Sequence, residues 1–141
     1  MAAGLPTNKL TLMVDGEERD CEVSVAEITN AETESDFVAF CDAAAGGGRD
    51  WALHIVAVQD PGNPDSLWTL MWDLAGTEVD VLVRPYGNAV ASATQPHFSG
   101  TVTVKYPDGV ALGGEADAST SNRMTFDVEW PFLAKPDKIT A

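Results

Sequence analysis

A single short segment with helical spacing, set among many strand-like segments, limits most strongly the folds that this chain can adopt. Residues 66–75 read SLWTLMWDLA, and Gly76 follows them as a stop signal. The preceding turn-rich segment offers Asn63 or Asp65 as a helix cap. The apolar residues of this segment recur at helical spacing: Leu67, Leu70, Met71 and Leu74. The sequence therefore predicts one helix, bounded on both sides by strands.

The segments around the helix alternate apolar and polar residues, as half-buried strands do. The alternation is clearest over residues 77–84 and 124–130. Residues 51–58 are nearly all apolar, which predicts a central strand that is covered on both faces. Further strands are predicted over residues 98–106 and, more weakly, 110–121.

The first third of the chain predicts a hairpin. Residues 9–14 alternate, Asp15 and Gly16 make a turn, and residues 21–25 alternate again. Residues 29–36 are polar and predict a loop.

Together these segments give about seven strands and one helix without an internal linker. We therefore expect a mainly β fold, in which one helix packs on a mostly antiparallel sheet system. A single domain spans residues 1–141, with a flexible N-terminal arm at about 1–8 and a C-terminal tail at about 134–141.

The charge of the chain excludes two classes of partner. There are 22 acidic and 8 basic residues, and the formal net charge is −14. Such a chain lacks the basic face that a nucleic-acid reader needs, and it is equally unsuited to an anionic membrane surface. Between Asp15 and Asp42 there are ten acidic residues and one basic residue, Arg19. Two interpretations stay open: a solvated face that keeps the protein soluble, or a surface whose potential has a purpose.

The sequence offers no catalytic or metal-binding set. Cys21 and Cys41 stand in apolar contexts and are expected to be small buried hydrophobes. Cys41 and His54 could in principle form a catalytic pair. However, His54 lies within an apolar run, which favours a packed or edge-facing side chain. His97 is likewise expected to pack between loop and strand, and no zinc spacing is present. We therefore expect no enzyme activity, no metal and no cofactor, and neither a signal peptide nor a membrane span.

Two features suggest contacts with another molecule. Trp68 and Trp72 widen the apolar stripe of the predicted helix, so they either complete the core or contact a neighbouring subunit. Gly46, Gly47 and Gly48 lack the lysine and hydroxyl of a phosphate loop and predict an adaptable connector that orders on assembly.

Several segments in a fixed order resemble the major tail tube proteins of long-tailed bacteriophages, most closely those of non-contractile, siphophage-type tails. The similarity covers roughly residues 1–135. The segments are RDWALHIVAVQD (49–60), SLWTLMWDLAGTEVDVLVRPYGN (66–88), QPHFSGTVTV (95–104), LGGEADAS (112–119) and FDVEWPF (126–132).

The resemblance implies a virion structural protein with the tail tube fold, an antiparallel β-sandwich or barrel-like domain with one flanking α-helix. Hexameric rings would stack into a tube that conducts DNA into the host without binding it specifically. The implied partners are further copies of the chain and the tape-measure, tail terminator and distal tail proteins, with no membrane contact. The implied location is the virion tail, after assembly in the host cytoplasm.

Acidic side chains that line a DNA channel would repel phosphates. By strand alternation we predict four such lumen residues: Glu22, Asp80, Asp127 and Glu129. The competing hypothesis is a carbohydrate- or protein-binding β-sandwich module that uses aromatic residues such as Trp51, Trp68 or Tyr86 as a platform.

Overall fold

The computed structural model describes residues 4–32, 40, 49–118 and 122–141. Over these residues the backbone forms eight β-strands and one α-helix. In chain order they are β1 (Thr11–Val14), β2 (Glu17–Glu18), β3 (Val23–Glu32), β4 (Arg49–Val58), α1 (Leu67–Leu74), β5 (Glu78–Arg84), β6 (His97–Thr103), β7 (Thr125–Pro131) and β8 (Asp137–Ile139). The described part of the chain is mainly β, as predicted.

The strands form two antiparallel sheets. The five-stranded sheet has the order β2-β1-β5-β6-β8, and the three-stranded sheet has the order β3-β4-β7. Each hydrogen-bonded pair of strands runs antiparallel. Both sheets contribute to one hydrophobic core, so the predicted sandwich-like arrangement with one helix is confirmed over the described residues.

Alternation of side chains builds the two inner faces. In β5, Val79, Val81 and Val83 are buried while Glu78 and Asp80 are exposed. The same pattern in β7 is complete from Thr125 to Trp130. Because successive side chains of a strand point to opposite faces, each strand presents one apolar face to the core and one polar face outward. The core is made of residues from both sheets and from α1: Leu12, Val14, Leu53, Ile55, Ala57, Leu67, Trp68, Met71, Val79, Val81, Val83, Val102, Val104, Phe126, Val128, Trp130 and Phe132.

The two sheets join where β7 ends. The amide of Phe132 donates to the carbonyl of Trp51, and the amide of Leu133 donates to the carbonyl of Thr101 in the other sheet. The Phe132 ring lies over Gly100, where an added Cβ would stand 2.8 Å from two ring carbons. Gly100 is therefore needed for this close approach.

Helix α1 begins at a different cap from the predicted one. Ser66 is the N-cap, and its Oγ accepts a hydrogen bond from the amide of Thr69 at 3.2 Å. Asn63, one of the two predicted caps, instead accepts from the amide of Asp65 in the turn before the helix. Gly76 has a positive φ of 93° just after the helix, as expected of a stop signal.

The predicted hairpin is half right. Asp15 and Gly16 both have positive φ and turn the chain from β1 into β2, as in a two-residue hairpin loop. However, β2 is only two residues long, and β3 crosses to the three-stranded sheet and pairs with β4. Residues 29–32 belong to β3, so the predicted loop over 29–36 is wrong there.

Other predictions need smaller corrections. Within residues 110–118 the structure has no strand, so the weak strand predicted there is wrong over that part. Part of the predicted C-terminal tail is ordered as β8, which pairs with β6. Cys21 is exposed rather than buried.

We predict that Phe126→Ala lowers the free energy of unfolding by about 3–5 kcal/mol, because Phe126 is only 1% exposed in the shared core. Urea denaturation measures the change. Met124→Ala, two residues earlier and exposed, serves as the control and should change stability by less than about 0.5 kcal/mol. Equal losses in both variants would show that this face of β7 is assigned wrongly.

Candidate functional site

The outer face of the three-stranded sheet gathers ionisable side chains around one histidine. The strand register places His54 of β4 directly between Glu27 of β3 and Glu129 of β7. Asp127 lies diagonally across from His54, two residues along β7 from Glu129 and opposite Val56. Facing and diagonal residues on one side of a sheet are close enough to interact, so the register alone creates this cluster.

Both ring nitrogens of His54 contact a carboxylate. Nδ1 lies 2.9 Å from Oε1 of Glu27, and Nε2 lies 2.7 Å from Oδ1 of Asp127. The His54 side chain is 27% exposed, whereas the two carboxylates are mostly exposed. The hydrogen bond that His54 donates to Glu27 is the main cause that raises the pKa of His54 above its ordinary 6.5. Desolvation opposes this rise, and the hydrogen bond and charge of Asp127 reinforce it.

Three members of this cluster, His54, Asp127 and Glu129, line an open groove of about 1010 Å³. Charged residues of both signs line the groove: Arg49, Asp50, Lys105, Asp108, Asp127 and Glu129. Within the described ranges, no group of three or more His, Cys, Asp or Glu side chains is arranged to hold a metal ion.

The four predicted lumen residues do not share one surface. Asp127 and Glu129 lie together on the outer face of the three-stranded sheet. Asp80 lies on the outer face of the five-stranded sheet, where its Oδ1 accepts a hydrogen bond from Thr101 at 2.8 Å. Glu22 is half-buried. The acidic residues thus divide among two faces and one internal network.

Glu22 fixes the start of the helix. One of its carboxylate oxygens accepts from the amide of Leu67 at 3.0 Å, and the other pairs with Arg19 at 3.2 Å. Arg19 is buried, also pairs with Glu17, and donates to the carbonyl of Asp65. A carboxylate at a helix N-terminus satisfies free amides and complements the helix dipole. Sequence reasoning treated Glu22 as a strand-face charge, although the only basic residue in the acidic segment, Arg19, was an available signal.

An aromatic cluster joins the helix to the loop after β6. Trp68 and Trp72 stack with ring centroids 5.1 Å apart, and Tyr106 meets Trp72 edge-on at 5.8 Å. Trp68 is buried, and its Nε1 donates to the carbonyl of Ala111 at 2.7 Å. Trp72 is 47% exposed and Tyr106 is 55% exposed. Of the two tryptophans, which the sequence placed either in the core or against a neighbour, Trp68 belongs to the core and Trp72 has an open face.

The aromatic platform of the competing hypothesis is not assembled as predicted. Trp51 is half-buried, with Nζ of Lys135 lying 5.9 Å from its ring centroid. Trp68 is buried, and Tyr86 is half-buried beyond β5. The exposed aromatic residues in the described part of the chain are instead Phe40, Trp72 and Tyr106, of which Trp72 and Tyr106 contact each other.

Strand β3 is a long edge strand. It has ten residues, and among the described residues it pairs only with β4. An irregularity between Val23 and Val25 interrupts the register near its start, and the pairing then continues without a break to Glu32. An edge of this kind can accept another strand through its outer backbone groups, with which no described strand pairs.

Some predicted residues lie outside the described ranges. Cys41 lies there, as do Gly46, Gly47 and Gly48, which were predicted to contact a neighbouring subunit.

His97 is buried, and its Nε2 lies 3.0 Å from the carbonyl oxygen of Asn88, which agrees with the predicted packing role. No helix in the described residues has the length and apolar character needed to cross a membrane.

Comparison with known proteins does not place the chain in a family. No protein-family model matches the sequence. A search of curated proteins likewise gives no match.

The two stacked tryptophans should differ in their effect on stability. We predict that Trp68→Ala lowers the free energy of unfolding by about 3–5 kcal/mol, because it empties a buried site and removes the donor to Ala111. Trp72→Ala, on the same helix, should cost about 1 kcal/mol because half of its ring already faces solvent. Urea denaturation of the pair measures the difference. Similar losses would mean that Trp72 is as much a core residue as Trp68.

Proposed function

We propose that this chain is the structural subunit of a phage tail tube, in which hexameric rings stack around a DNA channel. The sequence resemblance suggests this class of protein. The structural observation that carries the proposal is the three-stranded sheet, whose two outer strands pair only with β4 over the described residues and whose outer face is acidic. That combination suits a sheet that continues from one subunit to the next.

The edges of this sheet supply two different joining surfaces. Strand β3 forms one edge and β7 forms the other, and each pairs with β4 in between. A ten-residue edge exceeds the usual strand length of about 5–6 residues, and soluble proteins normally shorten or block such edges. A head-to-tail contact needs two complementary surfaces on each copy, and closure of the rotation gives a ring. Because β3 and β7 both run antiparallel to β4, the joint between β3 and the next subunit's β7 would be parallel.

The outer face would then line the channel. Asp127 and Glu129 project from β7, and Glu27 projects from β3 beside His54. With His54 protonated, these four side chains carry a net negative charge. A negative wall keeps DNA from adhering, since each phosphate contact with a lysine or arginine would add salt-dependent affinity. Screening limits the effect to about 8 Å at physiological salt, so it acts on DNA close to the wall.

The exposed aromatic pair offers a second contact. Trp72 and Tyr106 present an open apolar surface on the helix side of the subunit. Aromatic residues are enriched in the buried centres of protein interfaces. We assign this pair to contacts between subunits. The tape-measure, tail terminator and distal tail proteins are the further partners that this function entails, and the virion tail is its location.

Negative-stain electron microscopy of the purified protein at increasing concentration tests the proposal. We expect rings and stacked tubes, and Trp72→Gln should abolish them while the chain stays folded and monomeric. Val90→Gln replaces another exposed apolar residue on a separate loop and should assemble normally. A protein that remains a monomer at every concentration and binds saccharides through Trp72 and Tyr106 would instead establish the competing binding module.

Charge reversal should identify the lumen face. Glu129→Lys, on the three-stranded sheet and without contact to His54, should leave assembly intact but slow DNA ejection, most strongly at low ionic strength. Asp80→Lys makes the same change of charge on the five-stranded sheet and should have no effect on ejection. Measured ejection rates that slow for Asp80→Lys alone would place the other sheet at the channel.

A further inference from the structure

The contacts of His54 are compatible with one protonation state. An ionised carboxylate only accepts hydrogen bonds, and a neutral imidazole has a single N–H to donate. Yet both ring nitrogens lie at hydrogen-bond distance from carboxylate oxygens, 2.9 Å to Glu27 and 2.7 Å to Asp127. With both carboxylates ionised, an imidazolium alone makes both bonds at once. The arrangement is therefore that of a charged histidine between two opposite charges.

The bridge crosses the whole three-stranded sheet. His54 belongs to the middle strand, Glu27 to the β3 edge and Asp127 to the β7 edge. The three residues are 27 and 73 positions apart in the chain, so the bridge joins distant segments rather than neighbours.

We propose that His54 acts as a pH-dependent clamp: when it is protonated, its two hydrogen bonds to carboxylates hold both edge strands, β3 and β7, to β4 across the outer face of the sheet. Loss of its proton leaves one of the two carboxylates facing a nitrogen lone pair, so one of the two hydrogen bonds is lost. The same step adds one negative charge to this face. Deprotonation of His54 therefore both weakens the attachment of one edge strand to β4 and makes the outer face of the sheet more negative.

The other charged groups near His54 set the direction of this switch. Glu129 faces it from β7, and Glu27 and Asp127 contact it from either side. Along the same groove the remaining charges come from its own strand, Arg49 and Asp50, and from the loop after β6, Lys105 and Asp108. The nearest groups are thus the three carboxylates, which favour the imidazolium.

The pH dependence follows from the sign of the shift. The pKa of His54 is raised above 6.5, chiefly by the hydrogen bond to Glu27. A raised pKa means that the clamp contributes its full stability below pH 6.5, the ordinary value for histidine, and loses it as the pH rises through the folded-state pKa. Alkaline solution should therefore open the clamp. If β3 joins subunits, a consequence that rests on the proposed function, alkaline solution should also weaken assembly.

Histidine NMR on the free chain tests the protonation state. At pH 6 both ring nitrogens of His54 should give imidazolium shifts, and the titration midpoint should lie above that of the Glu27→Gln and Asp127→Asn variants. A neutral tautomer of His54 at pH 6, or a midpoint unchanged in both variants, would overturn the proposal.

Amide hydrogen exchange tests whether protonated His54 stabilises the pairing of β3 with β4. In the free chain, protection factors of the β3 amides should fall about two- to fivefold between pH 6 and pH 9, a size typical of partly exposed ion pairs. His54→Phe should remove this pH dependence, while Asp80→Asn, which deletes a carboxylate from the other sheet, should keep it. Protection in β3 that is independent of pH in the natural chain would refute the clamp. Because these measurements use the unassembled subunit, a failure to form tubes would refute the proposed function and leave the clamp standing.

Discussion

Strand β4 holds the core and the charged cluster in place. It lies between β3 and β7, so both of its edges are paired. Leu53, Ile55 and Ala57 point inward and are almost completely buried. The strand cannot slip by one residue without moving these side chains out of the core. The same alternation then holds His54 on the opposite face, in register with Glu27, so core packing also positions the charged cluster.

The remaining elements extend from this strand in two directions. Inward, the core couples the three-stranded sheet to β5, β6 and the helix. Outward, the sheet ends in the β3 edge and an acidic face, the features on which the proposed assembly depends. The buried Arg19 and the Glu22 carboxylate anchor the start of the helix to the segment before β3. Acidic residues therefore have two physical roles in this chain, and net charge alone does not separate them.

The sequence predicts the local features of the fold and misses those that depend on distant contacts. Alternation identified β5 and β7, and periodicity identified the helix, because each pattern is complete within a few residues. The turn at Asp15 and Gly16 was predicted correctly, but its short partner strand and the crossing of β3 to another sheet were not. Periodicity likewise placed Trp68 and Trp72 on one stripe, whereas the loop at Ala111 decides which ring is buried. The His54 cluster needs three strands in register, and no local pattern encodes that register.

We propose that the three-stranded sheet faces the channel and continues from one subunit to the next. A three-dimensional reconstruction of the assembled particle by cryo-electron microscopy would show the position of this sheet. We expect the outer face bearing His54, Asp127 and Glu129 to be the innermost surface of a ring, with β3 of one subunit beside β7 of the next. A ring whose innermost surface is the five-stranded sheet or the helix, or in which the β3 edge faces solvent, would contradict it.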